Sequence, residues 1–259
     1  MTNPLLDGIK LPGRTFQLPS KGLFYAPGVL ADTVIDGEIH VHPLSALDEI
    51  TLKNPDQLFS GEALQYVLPR CIPSILKPQD LLSKDIDAIM IFLRAVTYGS
   101  QYEFYAKHTC EEAKEHSYVA DIDAIITSMQ MIDESQLEET FTVVLPTSQV
   151  VKLTPGRYVD ILNMLRTSMN KRNISIEEVR ENAMKMLVAS IMSVDEVTDP
   201  TFIREWLDKL PAPLTNQIVR KIDGVNVWGA EMTVKCKCKD CGTEFTAEIP
   251  LNPISFFTE

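Results

Sequence analysis

The hydrophobic pattern of the chain predicts a mainly helical protein built around one central helix. In residues 80–99, apolar side chains recur every three or four positions, and Gly99 ends the run. The other sides of this helix are also largely apolar, so we expect it to lie in the core. Arg94 falls in this apolar setting and needs an acidic group or a carbonyl as its partner. Further helices are predicted after the capping residue Ser45, from about Ser60 to just before Cys71, and at roughly 156–170, 175–193, 200–209 and 212–222.

Short runs of alternating apolar and polar residues predict four pairs of antiparallel strands. The first pair, at residues 33–43, surrounds Asp36-Gly37, which is a strong signal for a two-residue turn. His40 and His42 share its polar face, either as a metal pair or, as is commoner, as solvated side chains. The other pairs are predicted at residues 101–122, at 140–145 with 150–153, and on either side of a cysteine-rich tip between Met232 and Ile249.

Both ends of the chain carry apolar residues that could contact other proteins. Residues 1–30 are rich in proline and glycine, which forbids a long helix and predicts an extended N-terminal arm. The arm is too apolar for a free tail, so it either lies along its own domain or docks on a neighbouring subunit. The C-terminal phenylalanines either fold back on the chain or anchor a neighbour. The candidate partner-binding residues are Leu18, Leu23, Phe24, Tyr25, Phe256 and Phe257.

Composition and charge narrow the range of partners. The chain has 259 residues, a net charge of -12 and an isoelectric point near 4.8, without a basic patch, so nucleic acid and anionic membrane are disfavoured. No apolar run approaches the roughly 18 residues of a membrane span, and the N-terminus has no apolar signal core. The five cysteines are clustered unlike the disulfide framework of a secreted domain, so we expect a soluble protein made in a reducing cytoplasm.

The stretch CKCKDCGTEF at residues 236–245 is the strongest chemical motif in the sequence. Cys238 and Cys241 have C-x-x-C spacing and Gly242 follows at once, which is the form of a zinc knuckle. One knuckle supplies two ligands, whereas a structural Zn²⁺ site needs about four. We therefore expect the remaining ligands elsewhere in the chain.

The tip of the predicted 101–122 hairpin carries two histidines and a cysteine that could complete the site. Because residues two apart in a strand face the same way, His108/Cys110 and Cys236/Cys238 each form a same-side pair. Two hairpin tips that share one ion would make a split zinc ribbon with a structural zinc. The alternative is that the hairpins hold by packing alone and that Cys236 is a spare thiol. The candidate ligands are Cys238, Cys241, Cys236 and Cys110, with His108 or His116 as substitutes.

These elements together predict an α+β fold that is mainly helical, with short β-hairpins, two of which form a split zinc-ribbon-like element. An extended arm and hairpin occupy residues 1–43. The other segments are a helical core with the first ribbon hairpin at 44–130, a β-hairpin plus helical insertion at 131–230, and the second ribbon hairpin with a hydrophobic C-terminal tail at 231–259.

The sequence carries no recognisable catalytic motif. It contains no phosphate-binding glycine loop, no nucleophile elbow and no His-Glu-x-x-His motif. Carboxylate pairs such as Glu111-Glu112 and Glu138-Glu139 are usually solvated faces, and thiolate-rich metal sites are normally closed and structural. We therefore expect a protein that is not an enzyme.

The order of these features resembles the phage baseplate protein family typified in T-even-like viruses. The matching pieces are LPSKGLFY (Leu18 to Tyr25), a helix that ends in LRAVTYG (Leu93 to Gly99), a hairpin with metal-type ligands directly after it, and a late CxxCG before an FF ending. Members of the family often carry a fuller Cys-x-x-Cys in the first hairpin, where this chain has His108-Thr109-Cys110.

The resemblance implies a virion or assembly protein of a contractile tail, made in the cytoplasm of the bacterial host. It would work in or around the central hub of the baseplate. Its partners would be other baseplate and tail proteins, in multiple copies within a symmetric assembly. The main alternative is a dedicated chaperone that helps to build the hub and then leaves.

Overall fold

A computed structural model of the chain describes residues 12–110, 114–169, 175–225, 227–250 and 256–257. Within these ranges the protein combines helices with small antiparallel sheets, and no helix has the length and apolar character needed to cross a membrane. The helices are α1 (Ala46–Leu52), α2 (Pro55–Ser60), α3 (Glu62–Cys71), α4 (Ser83–Tyr98), α5 (Ile122–Ser128), α6 (Leu137–Thr140), α7 (Tyr158–Met169), α8 (Ile176–Ala189), α9 (Pro200–Lys209) and α10 (Ala212–Gly224). The strands are β1 (Arg14–Gln17), β2 (Glu38–Val41), β3 (Gln101–Lys107), β4 (Glu115–Asp121), β5 (Thr142–Val144), β6 (Val150–Leu153), β7 (Ile191–Val194), β8 (Thr233–Lys237) and β9 (Glu244–Glu248).

The central helix α4 forms where the apolar periodicity predicts it. It ends at Gly99, whose φ of 83° lies in the region that favours glycine. Phe92 is buried in this helix, and its ring stacks on Phe16 with the ring centroids 4.5 Å apart. Arg94 is also buried and donates a hydrogen bond of 2.6 Å to the Phe256 carbonyl, which confirms that a carbonyl partners this guanidinium.

The short helices before α4 differ from the prediction in number. Ser45 caps α1 and forms a capping box with Asp48, three residues further on. Asn54 caps α2, an additional helix that the pattern did not predict, and Gly61 separates it from α3 with a φ of 75°. Cys71 is the last residue of α3 and is buried, as expected of a small apolar side chain.

The first sheet pairs strands that the local sequence does not reveal. β2 lies antiparallel to β1 in the N-terminal arm, with Phe16 opposite Ile39. Asp36 and Gly37 make the expected turn with positive φ at both residues, but the residues before them form no strand. The prediction of a hairpin at 33–43 is therefore wrong. The arm takes the place of its first strand, because any extended segment that brings apolar side chains to the core can supply the backbone pairing.

The predicted helix at 175–193 ends earlier than its apolar pattern suggests. α8 begins after Ser175, which forms the predicted capping box with Glu178, and it ends at Ala189. The next residues form β7, which pairs with β6 as the third strand of the β5-β6-β7 sheet. Ile191 and Val194 are buried in this strand. A four-residue segment with three apolar side chains is too short to distinguish a strand from the end of a helix by its period alone.

Two large clusters of buried apolar side chains form the interior. The first surrounds α4 and includes residues of the β3–β4 and β8–β9 hairpins. The second lies between Leu137 and Val225, and Phe24 of the arm packs against it. Gln130 and Gly229, at the two chain crossings between the clusters, exchange backbone hydrogen bonds of 3.1 and 2.8 Å. The two ends of the predicted insertion at 131–230 therefore lie side by side, next to the first cluster.

The described part of the arm lies along its own chain and completes α4. Leu82 is the N-cap of α4 and has no side-chain cap of its own. Its backbone N–H donates to the Tyr25 hydroxyl at 3.1 Å, and this hydroxyl donates to the Asp85 carboxylate at 2.6 Å. Ser20 adds hydrogen bonds from its N–H and hydroxyl to Asp85. The arm thus supplies the cap that the helix lacks.

The six candidate partner-binding side chains pack within the chain, which is the first of the two alternatives that the sequence left open for each end. The fully buried ones lie in the first cluster: Leu18, Phe256 and Phe257. The half-buried ones pack around the small cluster of Leu82, Ile132 and Trp228: Leu23, Phe24 and Tyr25. Apolar surface that is buried in this way is not available to a neighbouring protein. The first eleven residues of the predicted arm lie outside the described residues.

Tyr25→Phe removes the hydroxyl that caps α4 and donates to Asp85. We expect the free energy of unfolding to fall by about 1–3 kcal/mol, because the Leu82 N–H and the buried carboxylate each lose a partner. Tyr105→Phe is the matched control, since Tyr105 is 65 % exposed, and it should change stability by less than about 0.5 kcal/mol. Urea unfolding measures both variants, and equal losses would contradict the capping role of Tyr25.

Asp85→Asn tests the charge of the buried carboxyl. Burial raises the pKa of Asp85, and the hydrogen bonds from Ser20 and Tyr25 offset only part of this shift. A raised pKa in the folded state means that the stability contributed by the protonated form is lost as the pH rises through that pKa. We therefore expect the difference in stability to shift in favour of the asparagine variant as the pH rises above about 4, where an unperturbed aspartate ionises. Unfolding free energies across this range measure the difference, and a relative loss would show that the charged form is favoured.

Candidate metal centre

The tips of two β-hairpins meet and bring four metal-type side chains together. His108 and Cys110 follow β3 at the tip of the β3–β4 hairpin, and Cys238 and Cys241 lie between β8 and β9. One ligand atom from each residue lies within 4.8 Å of the others. This convergence joins the middle of the chain to its C-terminal part, as the split arrangement predicts.

The knuckle turn places both of its thiols on the same side. The Cys238 N–H donates to the Thr243 carbonyl at 2.9 Å, and the Gly242 N–H donates to the Cys238 carbonyl at 3.0 Å. Gly242 has a φ of 74°, a backbone conformation that side chains with a Cβ rarely adopt. The glycine after the C-x-x-C motif therefore has the expected role of permitting the tight turn.

The first hairpin presents its ligands in a less regular loop. The Cys110 N–H donates to the His108 carbonyl at 3.1 Å, which turns the chain immediately after β3. The His108 Nδ1 atom lies 3.3 Å from the Cys241 Sγ atom, and the imidazole packs on the Phe245 ring with centroids 5.0 Å apart. Contact between the two halves is thus direct at the candidate site.

The geometry and chemistry of this group fit a tetrahedral metal ion. Bond lengths of about 2.3 Å to sulfur and 2.0 Å to nitrogen put tetrahedral ligand atoms about 3.5–3.8 Å apart, which small side-chain movements would reach from the observed spacing. Three thiols and one imidazole are a donor set that Zn²⁺ prefers. Four protein ligands would leave no open coordination position, which is typical of structural sites.

Local hydrogen bonds prepare one of the thiols for metal binding. Hydrogen bonds from the Thr243 hydroxyl and backbone N–H, with smaller contributions from Cys238 and His108, lower the pKa of Cys241 to about 6. Metals bind the thiolate form, so a low pKa reduces the competition from protons near neutral pH. Burial raises the pKa of Cys236, as expected of a thiol held in the core.

Two predicted ligands lie apart from the group. Cys236 is buried in β8 opposite Phe245, and the strand ends at Lys237. Its side chain therefore faces the core, while Cys238 belongs to the turn, where the two-residue alternation of a strand no longer holds. His116 lies in β4 and contacts the Asp240 carboxylate at 2.7 Å instead. Of the two predicted histidines at this tip, the structure brings only His108 to the thiols.

Other contacts hold the knuckle against the first hairpin without a metal. The His116–Asp240 contact lowers the pKa of Asp240, since an imidazolium or N–H donor favours the carboxylate. Lys239 donates a hydrogen bond of 2.7 Å to the Ser117 carbonyl and lies 5.4 Å from the centroid of the Tyr118 ring. Sequence reasoning missed this docking role, because Lys239 and Asp240 look like solvated charges between the two cysteines. Packing and metal binding are thus compatible in this fold.

His40 and His42, the other histidine pair considered in the sequence, lie on an exposed surface. His40 and His42 are exposed, with ring centroids 4.8 Å apart, and His40 Nδ1 lies 3.2 Å from the Thr15 hydroxyl. Among the described residues they join no group of three or more converging metal-type ligands. Their positions agree with solvated strand histidines.

Elemental analysis of protein purified without chelator tests the candidate ligand set. We expect about one zinc per chain, and a large loss of zinc together with a lower melting temperature in Cys241→Ser and Cys110→Ser. Cys236→Ser is the matched control, because it changes a nearby thiol outside the group and should retain its zinc. Zinc-free native protein would leave packing as the only link between the hairpins, and zinc loss in Cys236→Ser would overturn the ligand assignment.

The chain matches a known protein family over a range that includes both hairpins of this centre. The sequence model of the family described as T4 bacteriophage base plate protein matches residues 44–258. The matched range begins after LPSKGLFY, so the helical core, the insertion and the knuckle carry the similarity. No curated protein and no solved structure gives a match. Because the match covers most of the sequence, the chain belongs to the T4 bacteriophage base plate protein family.

Proposed function

We propose that this protein is a structural component of the baseplate of a contractile phage tail, located at or near the central hub. It acts through contacts with neighbouring tail proteins, and a zinc-bound clasp of His108, Cys110, Cys238 and Cys241 holds its shape. Membership of the baseplate family is the observation that carries this proposal, since it implies a place in the virion tail and other tail proteins as partners.

The position of the ligand group supports the clasp. His108 and Cys241 are 133 residues apart in the sequence, yet their side chains are in contact. A metal that joins such distant positions binds only when the chain is folded, so the binding free energy of a structural zinc contributes directly to folding. The clasp would therefore stabilise the β8–β9 hairpin against the middle of the chain.

The outer face of the β3–β4 hairpin offers a surface that the clasp would hold in place. Tyr105 and Val119 are 65 % and 62 % exposed, and they lie on the face opposite the buried Tyr102 and Phe104. The two side chains are diagonal neighbours across the strands, since Tyr105 pairs with Ser117 and Val119 with Glu103. We assign this face to a neighbouring tail protein, because tyrosine is enriched at the contacts between proteins.

The protein would act by binding and would not catalyse a reaction. A site with three thiolates and one imidazole from the protein leaves no position for a substrate or for an activated water. The net charge of -12 opposes binding to the phosphates of nucleic acid, so contacts with other proteins are favoured. Multiple copies in the symmetric baseplate, synthesised in the cytoplasm of the host, complete the proposal.

Quantitative mass spectrometry of purified phage particles tests the structural role. We expect the protein in mature particles at a fixed copy number relative to a tail protein of known stoichiometry. Pulse-chase labelling of assembly intermediates separates the alternative, a hub-assembly chaperone. A protein that is present on intermediates and absent from mature tails would contradict the structural role and would support the chaperone.

A further inference from the structure

The three thiols of the ligand group differ strongly in their access to solvent. Cys241 is exposed, Cys110 is half-buried and Cys238 is 4 % exposed, although their sulfur atoms lie within 4.8 Å of one another. The other two cysteines, Cys71 and Cys236, are buried in the first core cluster. An oxidant in solution therefore meets Cys241 first, with two further thiols beside it.

The knuckle turn also favours one partner for an oxidised Cys241. The hydrogen bonds from Cys238 N–H to Thr243 and from Gly242 N–H to Cys238 keep the two knuckle thiols on the same side of a short loop. Cys110 reaches Cys241 only from the other hairpin, across the space that a metal would fill. A disulfide requires the sulfur atoms to approach to about 2.05 Å, and a movement within one loop needs less rearrangement than a movement between hairpins.

We propose that Cys241 is a site of reversible oxidation, and that its disulfide with Cys238 opens the metal clasp. This inference depends on the proposed clasp. In the first step the Cys241 thiolate attacks a peroxide oxygen, which forms a sulfenic acid and releases hydroxide, or water once it is protonated. In the second step the Cys238 thiol attacks the sulfenic sulfur, forms the disulfide and releases water. Two thiols are oxidised and one hydrogen peroxide is reduced to two waters.

Oxidation would remove the metal without unfolding the protein. A disulfide between the knuckle cysteines leaves His108 and Cys110, which are too few for a closed zinc site. The contacts from His116 to Asp240 and from Lys239 to the Ser117 carbonyl do not involve these thiols. The two hairpins would therefore stay in contact while the tip loosens, and the change would be reversible by a dithiol reductant with added zinc.

A peroxide titration of the full-length, zinc-loaded protein tests this inference. We expect zinc release, read by a colorimetric chelator, in step with the loss of two of the five cysteine thiols, counted after denaturation in chelator. Peptide mass spectrometry should link Cys238 to Cys241, circular dichroism should stay unchanged, and dithiothreitol with zinc should restore the starting state. Cys236→Ser is the matched control and should respond in the same way.

The outcome separates this inference from the clasp itself. Zinc that stays bound while Cys241 is oxidised, or a disulfide that joins Cys241 to any cysteine other than Cys238, would overturn the inference and leave the clasp intact. Reduced protein without zinc would refute the clasp. If the reduced protein holds no zinc, disulfide mapping after peroxide treatment still shows whether Cys238 and Cys241 form a bond. Absence of that disulfide would then refute the oxidation site as well.

Discussion

Two β-hairpins that are far apart in the sequence meet at their tips, and this contact closes the chain on itself. After the insertion, the β8–β9 hairpin returns to the middle of the chain, and its tip packs against the tip of the β3–β4 hairpin. Behind the tips, β8 and β9 contribute Cys236 and Ala247 to the core around α4. The tail that follows reaches the far end of this core, where Arg94 donates to the Phe256 carbonyl and Tyr98 to the Phe257 carbonyl. The C-terminal segment thus contacts the rest of the chain at two places, through the Cys238–Cys241 knuckle and through its aromatic residues.

The N-terminal arm has a comparable role on the other side of α4. Its Tyr25 hydroxyl completes the helix cap, and its Phe24 ring lies 4.7 Å from Phe141 in the second core cluster. The Pro19 carbonyl accepts a hydrogen bond of 2.9 Å from the Ile132 N–H, close to the start of the insertion. The arm therefore connects the helical core with the insertion. This explains physically why a segment rich in proline and glycine also carries so many apolar side chains.

Local signals predicted much of this fold, and interactions between distant segments account for most of the errors. α4 was evident because sixteen residues give many periods of apolar spacing, and the knuckle was evident because its ligands and glycine are adjacent. The pairing of β2 with the arm and the strand β7 were missed, since each depends on a partner that local periodicity does not reveal. The candidate site shows the same division. The alternation rule predicts that Cys236 and Cys238 are both ligands, but β8 ends at Lys237, and of these two only Cys238 belongs to the group with His108.

X-ray absorption spectroscopy at the zinc edge identifies the ligand atoms of the proposed clasp. A clasp of three cysteines and one histidine gives a first shell of three sulfur atoms at about 2.3 Å and one nitrogen at about 2.0 Å. Four sulfur atoms would require Cys236 in place of His108, which the buried position of Cys236 in β8 opposes. A shell of four sulfurs, or one dominated by oxygen and nitrogen, would contradict a clasp formed by His108, Cys110, Cys238 and Cys241.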